Sequence, residues 1–225
     1  MKNKFKIAID GPVGVGKGTL AVALSKKLGA LYINTGAMYR AVALACLEEG
    51  VDLANEKDVL RVVAKSKIEL RVTDYGTRVF LNDEEAGDKI FSVEVSNAVP
   101  ITSAYASVRK QMVQKQKEIA EGENVVIEGR DIATEVVPDA DLKIFLTASL
   151  EIRAARRYKQ ILAKGDKTIL EEVTRDIERR DKLDIERDAS PLTVVEDAYV
   201  LDTTNLTIDE TVGKVMEKLK EKGIV

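Results

Sequence analysis

Nine consecutive residues, GPVGVGKGT at 11–19, hold four glycines, one lysine and one threonine. Gly11, Gly14 and Gly16 lack the Cβ that would keep successive backbone N–H groups from converging, so the stretch can wrap the oxygens of a phosphate chain. Lys17 adds a cationic arm long enough for the terminal phosphates, and the Thr19 hydroxyl suits Mg²⁺. Pro12, Val13, Val15 and Gly18 complete the loop. Such a loop works only if a strand delivers it and a helix leaves it. The apolar run FKIAI precedes it and the helix-like run LAVALSKKLGA follows, so the positive end of a helix dipole faces the same anions. The chemistry implied is binding of a nucleoside triphosphate together with magnesium.

The residue after Lys17 is Gly18, where the general phosphate-loop motif has Ser or Thr, and Thr19 comes one place later. The order GKGT resembles the loop of nucleoside monophosphate kinases more than that of GTPases or ATP-driven motors.

Three further clusters of charge can serve the same chemistry. Arg153, Arg156 and Arg157 stand at i, i+3 and i+4 and so share one face of a helix. That is either a solvated face or, with the glycine-terminated segment YKQILAKGD after it, a mobile flap whose arginines neutralise a transferring phosphoryl group. Arg130 and Asp131 sit in GRD at the end of an apolar strand, as an internal ion pair or as a ligand-facing fork and acceptor. Arg180, Asp184 and Arg187 have spacings of four and three, which puts them on one helical face as a salt-bridge ladder or as part of a site.

These residues need a scaffold that gathers them. Strand-like runs recur at FKIAI (5–9), ALYI (30–33), NVVIE (124–128), LKIFLT (142–147) and AYVLD (198–202), with helix-patterned segments between most of them. Nearly continuous apolar strands alternating with amphipathic helices imply an α/β fold with a five-stranded parallel sheet flanked by helices. Ligands then collect at the carboxyl ends of the strands, where the loop 11–19, residues 35–40, 129–131, 149–157 and 202–204 all fall. The interval 52–123 is too long for one crossover and contains IELRV, a TDYGT turn and RVFLN, an antiparallel hairpin followed by helices. One domain over 1–225 is expected, with a core of 1–62 and 107–225, an inserted acceptor-binding subdomain at about 63–106 and a helical lid at about 152–168. Ser149 with Glu151, Thr168 with Glu171 and Thr207 with Glu210 mark three later helix starts.

Composition narrows the chemistry. Among 225 residues there is no histidine and one cysteine, which excludes a histidine base, a Ser-His-Asp triad and the usual zinc sites. Cys46 lies in the apolar run AVALACL and is expected to be a packed thiol. A net charge of −3, from 35 basic and 38 acidic residues, argues against free nucleic acid or an anionic membrane as the main partner. MKNKFKIAID runs straight into the loop without a signal segment, and no apolar stretch approaches the roughly 18 residues that span a bilayer. A cytoplasmic protein is expected. Neither an N-K-x-D nor a D-x-x-G string occurs, which weighs against a GTPase switch. A kinase of another small acceptor such as AMP, UMP or shikimate, and a non-catalytic nucleotide-binding module, remain compatible with these residues alone.

The stretches IAIDGPVGVGKGTLA, TGAMYRA, VRKQ, EGRDIAT, FLTAS with RAARR, KG at 164–165, and RRDKLDIERDASPL with LDTT occur in an order that resembles the bacterial cytidylate kinases over essentially the whole chain. The resemblance implies the nucleoside monophosphate kinase fold and transfer of the ATP γ-phosphoryl group to CMP or dCMP in pyrimidine nucleotide metabolism, with Mg²⁺, by a monomer. It implies that Thr35, Asp184 and Arg187 face the acceptor's ribose. Arg40, Arg109, Arg130 and Asp131 would address its phosphate and cytosine, joined by Arg180. Lys17, Arg130, Asp131, Arg153 and Arg157 would be catalytic, and Arg156 would join the loop 11–19 in binding ATP. Asn34 for the family's Asp, Ala133 for Gly, Pro100 for Ser and Ala106 for Pro are departures, most of them in the acceptor region.

Overall fold

Lys6–Asp10 is apolar without alternation because both its faces are covered: Ile7 and Ile9 enter one core and Ala8 the other. This strand, β1, is the centre of a five-stranded parallel sheet in the computed structural model, which describes residues 4–73, 76–163, 165 and 167–225. The other strands are β2 (Leu31–Asn34), β6 (Val125–Gly129), β7 (Leu142–Thr147) and β8 (Tyr199–Asp202), in the order β2-β6-β1-β7-β8. Each strand falls within a residue or two of its expected run. Helix α1 (Lys17–Leu28) and helix α8 (Ile208–Glu221) cover one face, through Leu20, Leu24, Val215 and Leu219. The other face receives Ile33, Ile127 and Ile132 together with Ala120 of α5 (Ala106–Ala120).

Helix α2 (Thr35–Glu48) is buried along most of its length and joins the sheet to the inserted segment. Asn34 caps it by accepting from the Ala37 N–H at 2.9 Å, so Asn in place of Asp keeps the cap. Between α2 and α5 stand α3 (Glu56–Lys65), β3 (Ile68–Thr73), β4 (Gly76–Leu81) and β5 (Glu84–Glu85), a 3-10 turn at Gly87–Phe91, and α4 (Val93–Thr102). β3 and β4 pair antiparallel from Ile68–Leu81 to Thr73–Gly76, as the hairpin pattern requires. Residues 74–75 of the TDYGT turn lie outside the described residues. A third strand follows because Asn82 and Asp83 both take positive φ, the two-residue turn that folds Glu84 and Glu85 back on β4. Ile68, Val79 and Leu81 then close a core with Met38 and Val42 of α2.

Helices α6 (Leu150–Ala163) and α7 (Leu170–Glu186) pair over a small cluster of Ala154, Val173 and Ile177. Lys164 of the KG pair lies outside the described residues. Ser149 and Thr207 cap α6 and α8 as expected. Thr168 does not cap: α7 begins one residue after Ile169, and the Thr168 hydroxyl reaches Glu172 instead. The helix also ends at Glu186, so Arg187 stands just past it in extended backbone instead of on the helical face with Arg180 and Asp184. Cys46 is fully buried, and burial pushes its thiol up to about 11.

Candidate active site

The carboxyl ends of β1, β2 and β6, helix α4, and the pair α6–α7 enclose a cleft of about 1270 Å³. The phosphate loop forms one end. Gly11 is required by space, since a Cβ there would stand 2.3 Å from the Leu146 carbonyl oxygen. Gly16, in left-handed backbone, turns the chain into α1. Lys17, 7% exposed, folds back and donates to the carbonyls of Gly11 at 2.7 Å and Pro12 at 2.8 Å. Burial, and then the charge of Arg130, bring its ammonium from 10.5 down to about 7. Thr19 is exposed on the first turn of α1 and lines the cleft.

At the other end stand Thr35, Arg40, Arg109, Arg130, Asp131, Arg180, Asp184 and Arg187, all cleft-lining. Two of its ion pairs join segments far apart in the chain. Arg109 reaches Asp131 at 2.5 Å with both side chains buried, and Arg130 reaches Asp184 at 2.7 Å. The ladder pattern is not realised between Arg180 and Asp184: Arg180 pairs with Asp176 at 2.8 Å, and Asp184 also faces Arg187 at 3.5 Å. Arg40 donates to the Ile90 carbonyl and the Ser96 hydroxyl, both at 3.0 Å. Thr35 donates to the Glu128 carbonyl at 2.8 Å.

Three of the cleft arginines, Arg40, Arg157 and Arg187, are under-compensated. Burial, and then Arg180, Arg157 and Arg130, lower Arg40 to about 10. Arg157 is lowered by burial and Arg180, and Arg187 by burial and Arg109. Among the described residues the buried donors Arg109 Nε and Arg187 Nη2 have no protein acceptor.

Of the three arginines on α6, Arg156 and Arg157 line the cleft. Arg156 donates to the Thr203 carbonyl at 2.6 Å and its hydroxyl at 3.0 Å, beside the Val15 carbonyl that Thr203 also contacts. Arg153 does not line the cleft, and neither do Gly11 and Pro12. The Arg153 guanidinium is consumed by the carbonyls of Ala148 and Val13 and by Asp181.

Four site residues escaped sequence reasoning. Asp10 is buried and accepts from the N–H groups of Ile132 (2.9 Å) and Ala133 (2.8 Å), tying the loop strand to the segment after GRD. Burial raises its carboxyl to about 6 despite those bonds. Glu128 accepts from the Tyr32 hydroxyl at 2.7 Å, and a Cβ on Gly18 would come within 3.0 Å of its Oε1. A larger residue in place of Gly18 would have to move that carboxylate by a few tenths of an ångström. A charged residue ending an apolar strand was the available signal for Asp10 and Glu128. Asp181, in RRDKLDIERDASPL, and Tyr39, in TGAMYRA, stood inside motif stretches without a spacing that singled them out.

The family profile described as cytidylate kinase matches residues 7–221. A cytidylate kinase of Bacillus subtilis (strain 168) is 45% identical, over 99% of this chain and 100% of that protein. One from Caldanaerobacter subterraneus subsp. tengcongensis is 49% identical, over 96% of this chain and 95% of that protein. Among solved structures, an uncharacterized protein from Eubacterium ventriosum ATCC 27560 superposes with a TM-score of 0.50 at 14% identity, covering 97% of this chain and 99% of that one, a likeness of fold alone.

Proposed function

The chain belongs to the cytidylate kinase family, and from that premise we propose that it transfers the γ-phosphoryl group of ATP to CMP and dCMP, giving ADP and CDP or dCDP. The observation that carries this reading is a phosphate loop facing a cluster of under-compensated arginines across one cleft.

An acceptor phosphate oxygen is already ionised at neutral pH, so no protein base is needed, in keeping with a chain that has no histidine. That oxygen attacks the γ-phosphorus in line as the bond to the β-phosphate oxygen breaks. The loop N–H groups and Lys17 hold the donor, while Arg130 and Arg157 meet the charge that spreads over the transferring group. Arg156 closes over the loop through Thr203. Arg40 and Arg180 bind the acceptor phosphate; Arg109 and Asp131 read the base; Thr35, Asp184 and Arg187 address the sugar.

Magnesium fits this cleft. The Thr19 hydroxyl, exposed on the first turn of α1 and lining the cleft, would hold the ion together with phosphate oxygens and water, the coordination Mg²⁺ prefers. When bound it offsets charge on the β- and γ-phosphates. A monomer in the cytoplasm that engages neither nucleic acid nor membrane completes the proposal. No helix among the described residues is long and apolar enough to cross a membrane.

The test is diphosphate formation from MgATP with CMP, dCMP, UMP, AMP or GMP, resolved by chromatography. Turnover of CMP and dCMP is expected, with kcat falling in Lys17→Ala by a factor equivalent to about 2–4 kcal/mol. Preference for UMP or AMP would overturn the acceptor assignment, and no turnover of any monophosphate would overturn the enzyme.

A further inference from the structure

Asp181 lies on α7, outside the cleft lining, yet both of its carboxylate oxygens are engaged with the phosphate loop or its support. Oδ1 accepts from the Val13 N–H at 3.2 Å, and Oδ2 accepts from Arg153 of α6. Arg153 in turn donates to the Val13 carbonyl at 3.2 Å and to the Ala148 carbonyl at 3.1 Å. Both backbone polar groups of Val13 are therefore held by one part-buried ion pair.

Packing fixes the same residue. The Val13 side chain joins the cluster of Ala154, Val173 and Ile177 between α6 and α7. The next residue, Gly14, abuts the Arg153 backbone so closely that a Cβ would come within 3.0 Å of the Arg153 carbonyl oxygen. A loop rich in glycine has many accessible conformations, and only one of them converges its N–H groups on phosphate. The clamp at Val13 selects among those conformations from outside the loop.

We propose that Asp181 is a positioning residue for the donor loop: from α7 it fixes the Val13 backbone, directly at N–H and through Arg153 at C=O, and so keeps the loop preorganised for a triphosphate. The inference rests on the reading of this loop as the ATP site. The same helix places Asp184 against Arg130 on the acceptor side. An effect at Asp181 confined to the donor is therefore a specific outcome, because general damage to α7 would reach both substrates.

In Asp181→Ala, KM for ATP should rise about tenfold, the effect of losing a charge-assisted hydrogen bond, while KM for CMP stays within about twofold. Calorimetric titration of MgATP alone should show the same loss of affinity. A purely structural role would lower Tm and move both KM values together, and that result would overturn the proposal, as would an unchanged ATP affinity. If the alanine variant does not fold, Asp181→Asn carries the test, since its amide oxygen can still accept from the Val13 N–H but the charge that holds Arg153 is gone. A rise in ATP KM alone supports the clamp, and an unchanged ATP KM defeats it. Failure of the unaltered protein to bind MgATP would instead sink the donor-site reading itself.

Discussion

Lys17 is held by the loop it serves, and its protonation is therefore tied to occupancy. Two carbonyls accept from its ammonium, but burial outweighs them and leaves it near 7 where the unfolded chain has 10.5. The unfolded chain thus binds more protons between about pH 7 and 10.5, and this group makes the ligand-free protein more stable as pH rises through that window. Asp10 works in the opposite sense: its folded value of about 6 exceeds 3.8, so its contribution to stability falls as pH rises from about 4 to 6. A phosphate chain next to Lys17 restores the cation. At pH 8, MgATP binding should take up about one proton, seen as a calorimetric enthalpy that varies with the ionisation enthalpy of the buffer. Lys17→Met should abolish the uptake, and buffer-independent enthalpy in the unaltered protein would count against a neutral Lys17. Motif order made Lys17 legible. The pairings of Asp10 and Glu128 were not, because the partner of Asp10 at Ile132 is 122 positions away and that of Glu128 at Tyr32 is 96. No local spacing encodes such a pair.

Helix α4 shows what one residue does to an element. Pro100 sits inside it and has no N–H to give the Ser96 carbonyl one turn back. That carbonyl instead accepts from Arg180 of α7 at 3.4 Å, while the Ser96 hydroxyl accepts from Arg40. A departure from the family's usual serine has thus become a strut between the insertion and α7. Pro100→Ala returns the helical N–H to Ser96. It should raise unfolding free energy on the order of 1 kcal/mol, the propensity gain of up to about 3 being offset by the lost arginine contact. With Arg180 held by Asp176 alone, KM for CMP should rise severalfold while KM for ATP holds; an unchanged CMP KM would show that the strut does not orient Arg180. Elements of this kind are half legible. Apolar runs placed every strand of the parallel sheet, and the IELRV and RVFLN alternation placed the hairpin. The third strand needed two left-handed residues at Asn82 and Asp83, and the end of α7 before Arg187 depends on tertiary contacts that no cap announces.

At the scale of the whole molecule, a chain of net charge −3 concentrates positive charge in one cleft. Holding Arg40 near 10 instead of 12.5 corresponds to about 3 kcal/mol of unfavourable environment at neutral pH, which an anion in the cleft would relieve. The fold class, the strand ends and most cleft residues were readable from sequence because they follow from the order of motifs along a parallel sheet. The charge balance was not, since it depends on which carboxylates turn toward which arginines. Each substrate should therefore stabilise the protein on its own, and a ligand at about 100 times its Kd contributes about 2.7 kcal/mol, or roughly 5–10 °C in Tm for a chain of this size. Arg187 separates the two ends: it holds Ser190 at 2.7 Å and faces Asp184, with one buried donor left over. In Arg187→Ala the thermal shift with CMP should fall to about 2 °C or less, while the shift with MgATP is retained. Equal loss of both shifts would remove Arg187 from the acceptor side, because a residue that binds only the acceptor has no means of weakening the donor's contribution.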